Sequence, residues 1–108
     1  MQHLEDKIQQ NIILALRLYY SDSLVFAVPN GGRRNGREAA RLKLQGVTPG
    51  VSDLIFIHKK KIYFIEVKSE HGKQSLFQNQ FQKFVESQGF VYLLVKSGGE
   101  LLDYFEKK

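Results

Sequence analysis

Two acids and a lysine are the residues of this sequence best suited to chemistry: Asp53, then Glu66 and Lys68 on either side of Val67. Leu54-Ile55-Phe56-Ile57 and Ile62-Tyr63-Phe64-Ile65 read as strands, and their short connection through His58-Lys59-Lys60 predicts a hairpin. If it turns about the Lys59–Lys60 peptide, Asp53 falls opposite Glu66. Directly opposed side chains have Cβ atoms roughly 4.5–5.5 Å apart. Two carboxylates that close repel unless a proton or a cation lies between them. Lys68, two residues beyond Glu66, points to the same face of its strand. A slip of one residue in the register would dissolve the arrangement.

Such a trio suits hydrolysis of a phosphodiester. Mg²⁺ takes oxygen ligands, usually one or two carboxylates with waters and substrate phosphate. The ion polarises a phosphoryl oxygen and acidifies a bound water. An ammonium beside it orients that water and offsets charge developing at phosphorus. A Glu-x-Lys pair by itself more often belongs to a solvated surface. The apolar residues flanking this one on both strands weigh against that reading.

The rest of the chain supplies the elements that would hold the trio. Leu4 to Tyr20 carries Leu4, Ile8, Ile12, Ala15, Leu16 and Tyr19 at helical spacing. Leu24 to Val28 reads as a buried strand closed by Pro29-Asn30-Gly31-Gly32. A basic loop, Arg33-Arg34-Asn35-Gly36-Arg37, leads into a short helix from Arg37 to Gln45 that Gly46 stops. A second loop, Gly46 to Ser52, precedes the hairpin. Gln74 to Gln88 is an amphipathic helix with Phe77, Phe81, Phe84 and Val85 inward. Phe90 to Val95 is the last strand, and Gly99 to Glu106 a terminal helix. Residues 1–108 thus form a single α/β domain, a mixed sheet of about four strands flanked by helices.

Two more residues attract attention. On a helical wheel Glu5 lies within about 20° of Ile12 and Leu16, on the apolar face, whereas Asp6 falls off it. A carboxylate on that stripe needs a partner, although the first turn of a helix also favours an acid for its dipole alone. Gln9, at i+4, is placed to orient it. Ser75-x-x-Gln78 has the spacing of a capping box, in which both side chains satisfy helix-start donors.

Together these blocks resemble the VRR-NUC family, the virus-type replication-repair nucleases of the restriction-endonuclease-like superfamily. The resemblance is carried by Glu5-x-x-Ile8-Gln9, Pro29-Asn30-Gly31, Gly46-x-x-x-Gly50-Val51-Ser52-Asp53, Phe64-Ile65-Glu66-Val67-Lys68, Gly72-Lys73-x-Ser75-x-x-Gln78 and Phe81. It departs at Leu76, where that family commonly has Pro. The resemblance implies a restriction-endonuclease-like core and a Mg²⁺- or Mn²⁺-dependent endonuclease that leaves a 5′-phosphate and a 3′-hydroxyl. It implies Asp53, Glu66 and the carbonyl of Val67 as metal ligands, with Glu5 acting through water. Lys68 would position or activate the nucleophilic water and Gln78 would support it. Stand-alone members suggest a homodimer on branched DNA such as four-way junctions, and a bacterial, phage- or prophage-encoded origin.

Charge agrees with a polyanion partner. Sixteen Lys and Arg against eleven Asp and Glu leave +5, which favours nucleic acid. Between Asn30 and Lys61, eight cations (Arg33, Arg34, Arg37, Arg41, Lys43, Lys59, Lys60, Lys61) face two anions, a local +6. That excess predicts a phosphate-binding rim next to Asp53, with Arg33, Arg34, Arg37, Lys59, Lys60 and Lys73 as its DNA contacts. The absence of Cys excludes disulfides and thiolate chemistry and suits the cytoplasm. No run of about 18 apolar residues is present for a membrane span, and Glu5 and Asp6 speak against a signal peptide. No small-molecule cofactor is expected. His3, His58 and His71 are too scattered for a metal triad, and His71 reads as solvent-exposed or in contact with DNA. Phe90, Tyr92, Leu101, Tyr104 and Phe105 are the candidate apolar residues for a dimer interface. Two rivals stand beside this reading: a DNA-binding module that has lost catalysis, and a nuclease for linear duplex or single strands.

Overall fold

The computed structural model describes residues 2–29 and 36–107, without the side chains of residues 2 and 3. In chain order the elements are α1 (Gln2–Tyr19), β1 (Leu24–Ala27), α2 (Gly36–Leu44), β2 (Leu54–His58), β3 (Lys61–Val67), α3 (Leu76–Ser87), β4 (Val91–Val95) and α4 (Gly98–Glu106). The strands form one mixed sheet in the order β1-β2-β3-β4. The first two pairs are antiparallel and β3–β4 is parallel. This is the expected α/β architecture, with element boundaries shifted by a residue or two. Arg33, Arg34, Asn30 and Gly31 lie outside the described residues.

Strand alternation divides the apolar residues between two faces. On one face Val25, Leu54, Phe56, Tyr63, Ile65, Val67 and Val95 meet Ile12 and Leu16 of α1 and Leu101 of α4 in a single buried cluster. On the other, α3 covers β3 and β4, where the Phe81 ring meets Phe64 at 5.7 Å and Tyr92 at 6.2 Å.

Several burial expectations change. β1 is an edge strand, not a buried one: only Val25 is buried, while Leu24 and Phe26 are exposed. Of the α3 residues expected inward, Val85 is buried, but Phe77 and Phe84 are 55% and 64% exposed. They border an open groove of about 440 Å³ with Thr48, Pro49 and Val51, because α3 leaves the β1–β2 half of its face uncovered. Leu4 and Tyr19 of α1 are exposed too. Of the five proposed interface residues, Tyr92 and Leu101 are buried, and Tyr104 and Phe105 pack on the core. Phe90 alone is exposed. Among the described residues no helix is long and apolar enough to cross a membrane.

The β2–β3 turn is made by Lys59 and Lys60, both with positive φ (51° and 66°). A two-residue turn of that kind matches the strand twist and is normally built from Asn-Gly. Lysines in the left-handed region cost about 1 kcal/mol or more each. The double change Lys59→Asn, Lys60→Gly should therefore stabilise the domain by about 1 kcal/mol. Denaturant unfolding should show a higher midpoint at unchanged slope.

Candidate active site

The β2–β3 hairpin turns about Lys59–Lys60 in the register read from the sequence, with Leu54 opposite Ile65 and His58 opposite Lys61. One residue before β2, Asp53 therefore stands at the level of Glu66. Asp53 is held at both ends: its Oδ2 accepts the Val67 N–H at 2.8 Å, and its carbonyl accepts the Val28 N–H at 2.8 Å. The Glu66 side chain lies on the α3 face and is almost wholly buried, the residue being 1% exposed. Lys68 Nζ is 3.7 Å from Glu66 Oε2.

Gln78 does both things open to it. Its Oε1 accepts the Ser75 N–H at 2.8 Å, while its own N–H donates to Ser75 Oγ at 3.1 Å, completing the capping box. The same side-chain amide then donates from Nε2 to Glu66 Oε2 at 2.7 Å. The cap thus aims the amide nitrogen at the acid. Glu5 also reaches the site, where its Oε2 accepts the Ser69 N–H at 3.1 Å. Glu5, Asp53, Glu66, Lys68 and Gln78, drawn from α1, the loop before β2, β3 and α3, converge at one end of the sheet.

Two glycines permit this closure. A Cβ on Gly50 (φ +88°) would lie 2.4 Å from the Phe77 carbonyl, so the loop before Asp53 rests directly on α3. A Cβ on Gly72 would lie 3.1 Å from Glu5 Oε2 and 3.3 Å from the Lys68 side chain. Other contributors were not foreseen from the sequence. Gln74 Nε2 donates to Gln82 Oε1 at 2.9 Å and to Tyr92 Oη at 3.1 Å, tying the loop after Lys68 to α3 and β4. Ser52 is fully buried and its Oγ donates to the Leu54 carbonyl at 3.2 Å. Nothing in their local spacing marks them, because their partners are distant in sequence or backbone atoms.

The described basic residues are not gathered in one rim. Lys73 is exposed, beside Gly72. Arg37 is exposed on α2. Lys59 and Lys60, however, occupy the far tip of the hairpin, about 20 Å from Glu66 at the usual rise per strand residue. They do not flank Asp53, because the strand carries the chain away from it. His71 is exposed, whereas His58 is buried, with Nδ1 3.7 Å from Asp22 Oδ1.

No protein-family model matches the chain, and no curated protein does. Solved structures do match. One, a "VRR_NUC domain protein", superposes with a TM-score of 0.73 at 20% identity, over 95% of this chain and 85% of that one. Another, a "VRR_NUC domain", gives a TM-score of 0.65 at 21% identity over 95% of each chain. The fold is that of the VRR_NUC domains. At this identity the likeness speaks for the backbone, and the site rests on its own geometry.

In this VRR_NUC fold, burial raises the Glu66 carboxyl from 4.5 to about 8, assisted by the negative charge of Asp53 and opposed by Lys68. Burial raises Asp53 as well, against the Val67 N–H that favours its charge. Burial and then Glu66 push the Tyr92 hydroxyl up to about 12. Glu66 Oε1 is buried with no hydrogen-bond partner among the described residues. An orphaned buried oxygen beside a second carboxylate suits a hard cation or a proton. Among the described residues no group of three or more His, Cys, Asp or Glu side chains is spaced to hold a metal. A two-carboxylate donor set completed by waters is what Mg²⁺ accepts.

The acid pair has a consequence for stability. Between pH 4.5 and about 8 the folded chain keeps a proton on Glu66 that the unfolded chain has released. Stability is therefore lost as pH rises through that window. Thermal melts in EDTA should show a midpoint that falls from pH 5 to pH 8, and Glu66→Gln should flatten that slope. A midpoint rising with pH would contradict the buried acid.

Proposed function

We propose that this chain is a Mg²⁺- or Mn²⁺-dependent DNA endonuclease that cuts branched DNA as a homodimer. The observation that carries the reading is the convergence of Asp53, Glu66 and Lys68, with Gln78 and Glu5 fixed around them, on a VRR_NUC fold. Asp53, Glu66 and the Val67 carbonyl would hold the ion, and Glu5 would contribute through water. When bound, a divalent cation supplies Lewis acidity at the phosphoryl oxygen and a more acidic water. Lys68 orients the attacking water and offsets charge on the phosphoryl oxygens, because as an ammonium it has donors only. Gln78 holds the Glu66 carboxylate in one orientation. Arg37 and Lys73, with Arg33 and Arg34, grip phosphates near the cut, and Lys59 and Lys60 contact DNA farther out.

Exposed apolar surface supports the dimer. At roughly 200 Å² per phenylalanine, the exposed fractions of Phe26, Phe77, Phe84 and Phe90 amount to about 400 Å². That sum is of the order of the largest apolar patch on a typical monomer, about 300–600 Å², and Phe77 and Phe84 share one groove. A two-fold dimer would present two identical sites to a two-fold junction.

The deciding assay offers a four-way junction, a duplex and a single strand, each with Mg²⁺, Mn²⁺ or EDTA. Junctions should be cut in opposing strands, only with metal. Asp53→Ala and Glu66→Ala should abolish cutting while DNA binding persists or tightens, since anionic repulsion falls. Full activity in either variant would end the metal-site reading. Binding that survives in a wild-type chain that never cuts would favour the DNA-binding module. Lys68→Ala should lower the rate by roughly 10²–10³ with little change in the metal titration midpoint. Light scattering should report about twice 12.5 kDa.

A further inference from the structure

The helix α2 is out of keeping with the rest of the domain. None of its nine residues is buried, although Glu38 and Leu42 are half-buried, and among the described residues no helix or strand makes more than marginal contact with it. Leu44, at its end, is 91% exposed. Helices shorter than about 12–15 residues are marginal in water without tertiary support. Among the described residues, none of this helix belongs to the hydrophobic core or packs against it.

Its location and charge specify what can supply that support. Residue 28 donates its N–H to the Asp53 carbonyl at 2.8 Å, so the excursion that carries α2 leaves the sheet beside Asp53 and returns to it there. The helix holds three cations, Arg37, Arg41 and Lys43, against Glu38. Arg37 and Arg41 are four residues apart and hence share a face, with Cβ atoms roughly 5–6 Å apart. That spacing is close to the separation of neighbouring phosphates along a strand. A basic helix outside the core, on an excursion anchored beside Asp53, complements a polyanion laid across that end.

We propose that α2 is a DNA-binding arm, ordered by substrate phosphates through Arg37 and Arg41 rather than by its own domain, that grips the backbone beside Asp53. The inference rests on the nuclease reading. It assigns that site a helix that folds on the substrate, with Arg41 as a further contact.

Amide exchange and DNA binding in EDTA test it on the intact chain. Amides 37–44 should exchange rapidly in the free protein and slow about tenfold or more on a four-way junction. Ala40→Pro should leave the melting midpoint unchanged, since Ala40 is exposed and no α2 residue belongs to the buried core, and weaken junction binding by about tenfold or more. Ala40→Gln keeps the helix and should keep the affinity. The pair Arg37→Ala, Arg41→Ala should reduce the slope of log K against log salt by about two units. Slow exchange in the free chain overturns the proposal. So does protection that grows with protein concentration in the absence of DNA, which would assign the covering surface to a second copy. A wild type that binds and cuts DNA while these variants behave like it overturns the arm alone. A wild type that protects α2 on DNA yet never cuts with metal overturns the nuclease reading alone.

Discussion

The burial of the Glu66 carboxyl beside Asp53 is the constraint around which this end of the molecule is arranged. Two acids removed from water at that spacing cost more than either acid alone. Each oxygen therefore has to be satisfied or left for a cation. Val67 N–H takes Asp53 Oδ2, Gln78 takes Glu66 Oε2, and Lys68 stands 3.7 Å from that same atom. Glu66 Oε1 has no hydrogen-bond partner among the described residues. Such a site is poised for a positive charge, and its raised proton affinity is the same fact seen in the absence of one.

Rigidity at the site comes from backbone approach as much as from side chains. The Gly50 loop can rest on Phe77 because nothing projects from Gly50, and that contact sets the entry of the chain into Asp53. Gly72 lets the loop after Lys68 lie against Glu5, whose carboxylate holds Ser69 in return. Gln74 secures the far end of that loop to Tyr92 and Gln82. Substituting a larger residue at either glycine would displace acids that the core itself leaves in place. The α1–α4 face is densely packed, whereas the α3 face covers only half the sheet. Shape at the site and freedom at the flank therefore coexist in one small domain.

Much of the site was legible because it lies on one hairpin. Two continuous apolar runs, a short connection taken to turn at Lys59–Lys60 and the closeness of directly opposed side chains placed Asp53 against Glu66. Helical period likewise placed Glu5 on the inward stripe of α1. For Gln78 the spacing offered a cap, and the cap proved to be the device that points the amide at Glu66. The failures have a common cause. Counting cations along the chain put Lys59 and Lys60 beside Asp53, yet a strand moves about 3.3 Å per residue and took them to the opposite end. Apolar period marked Phe77 and Phe84 as core, but period reports which face of a helix is apolar and not how much of it a neighbour covers.

By itself the sequence determined the order of elements and, once a turn at Lys59–Lys60 was assumed, the opposition of Asp53 and Glu66 with Lys68 on the same face. These follow from short-range steric and hydrophobic periodicities that act within a few residues. Only the tertiary structure decided how Glu5 and Gln78, which the resemblance implied, reach that pair from separate helices, that Gln74 and Tyr92 brace the loop between them, and that α2 stands apart from the core. Those relations depend on where whole elements pack. Packing is set by the summed burial of Ile12, Leu16, Phe56, Ile65 and Leu101 across distant segments, a quantity that no local spacing contains.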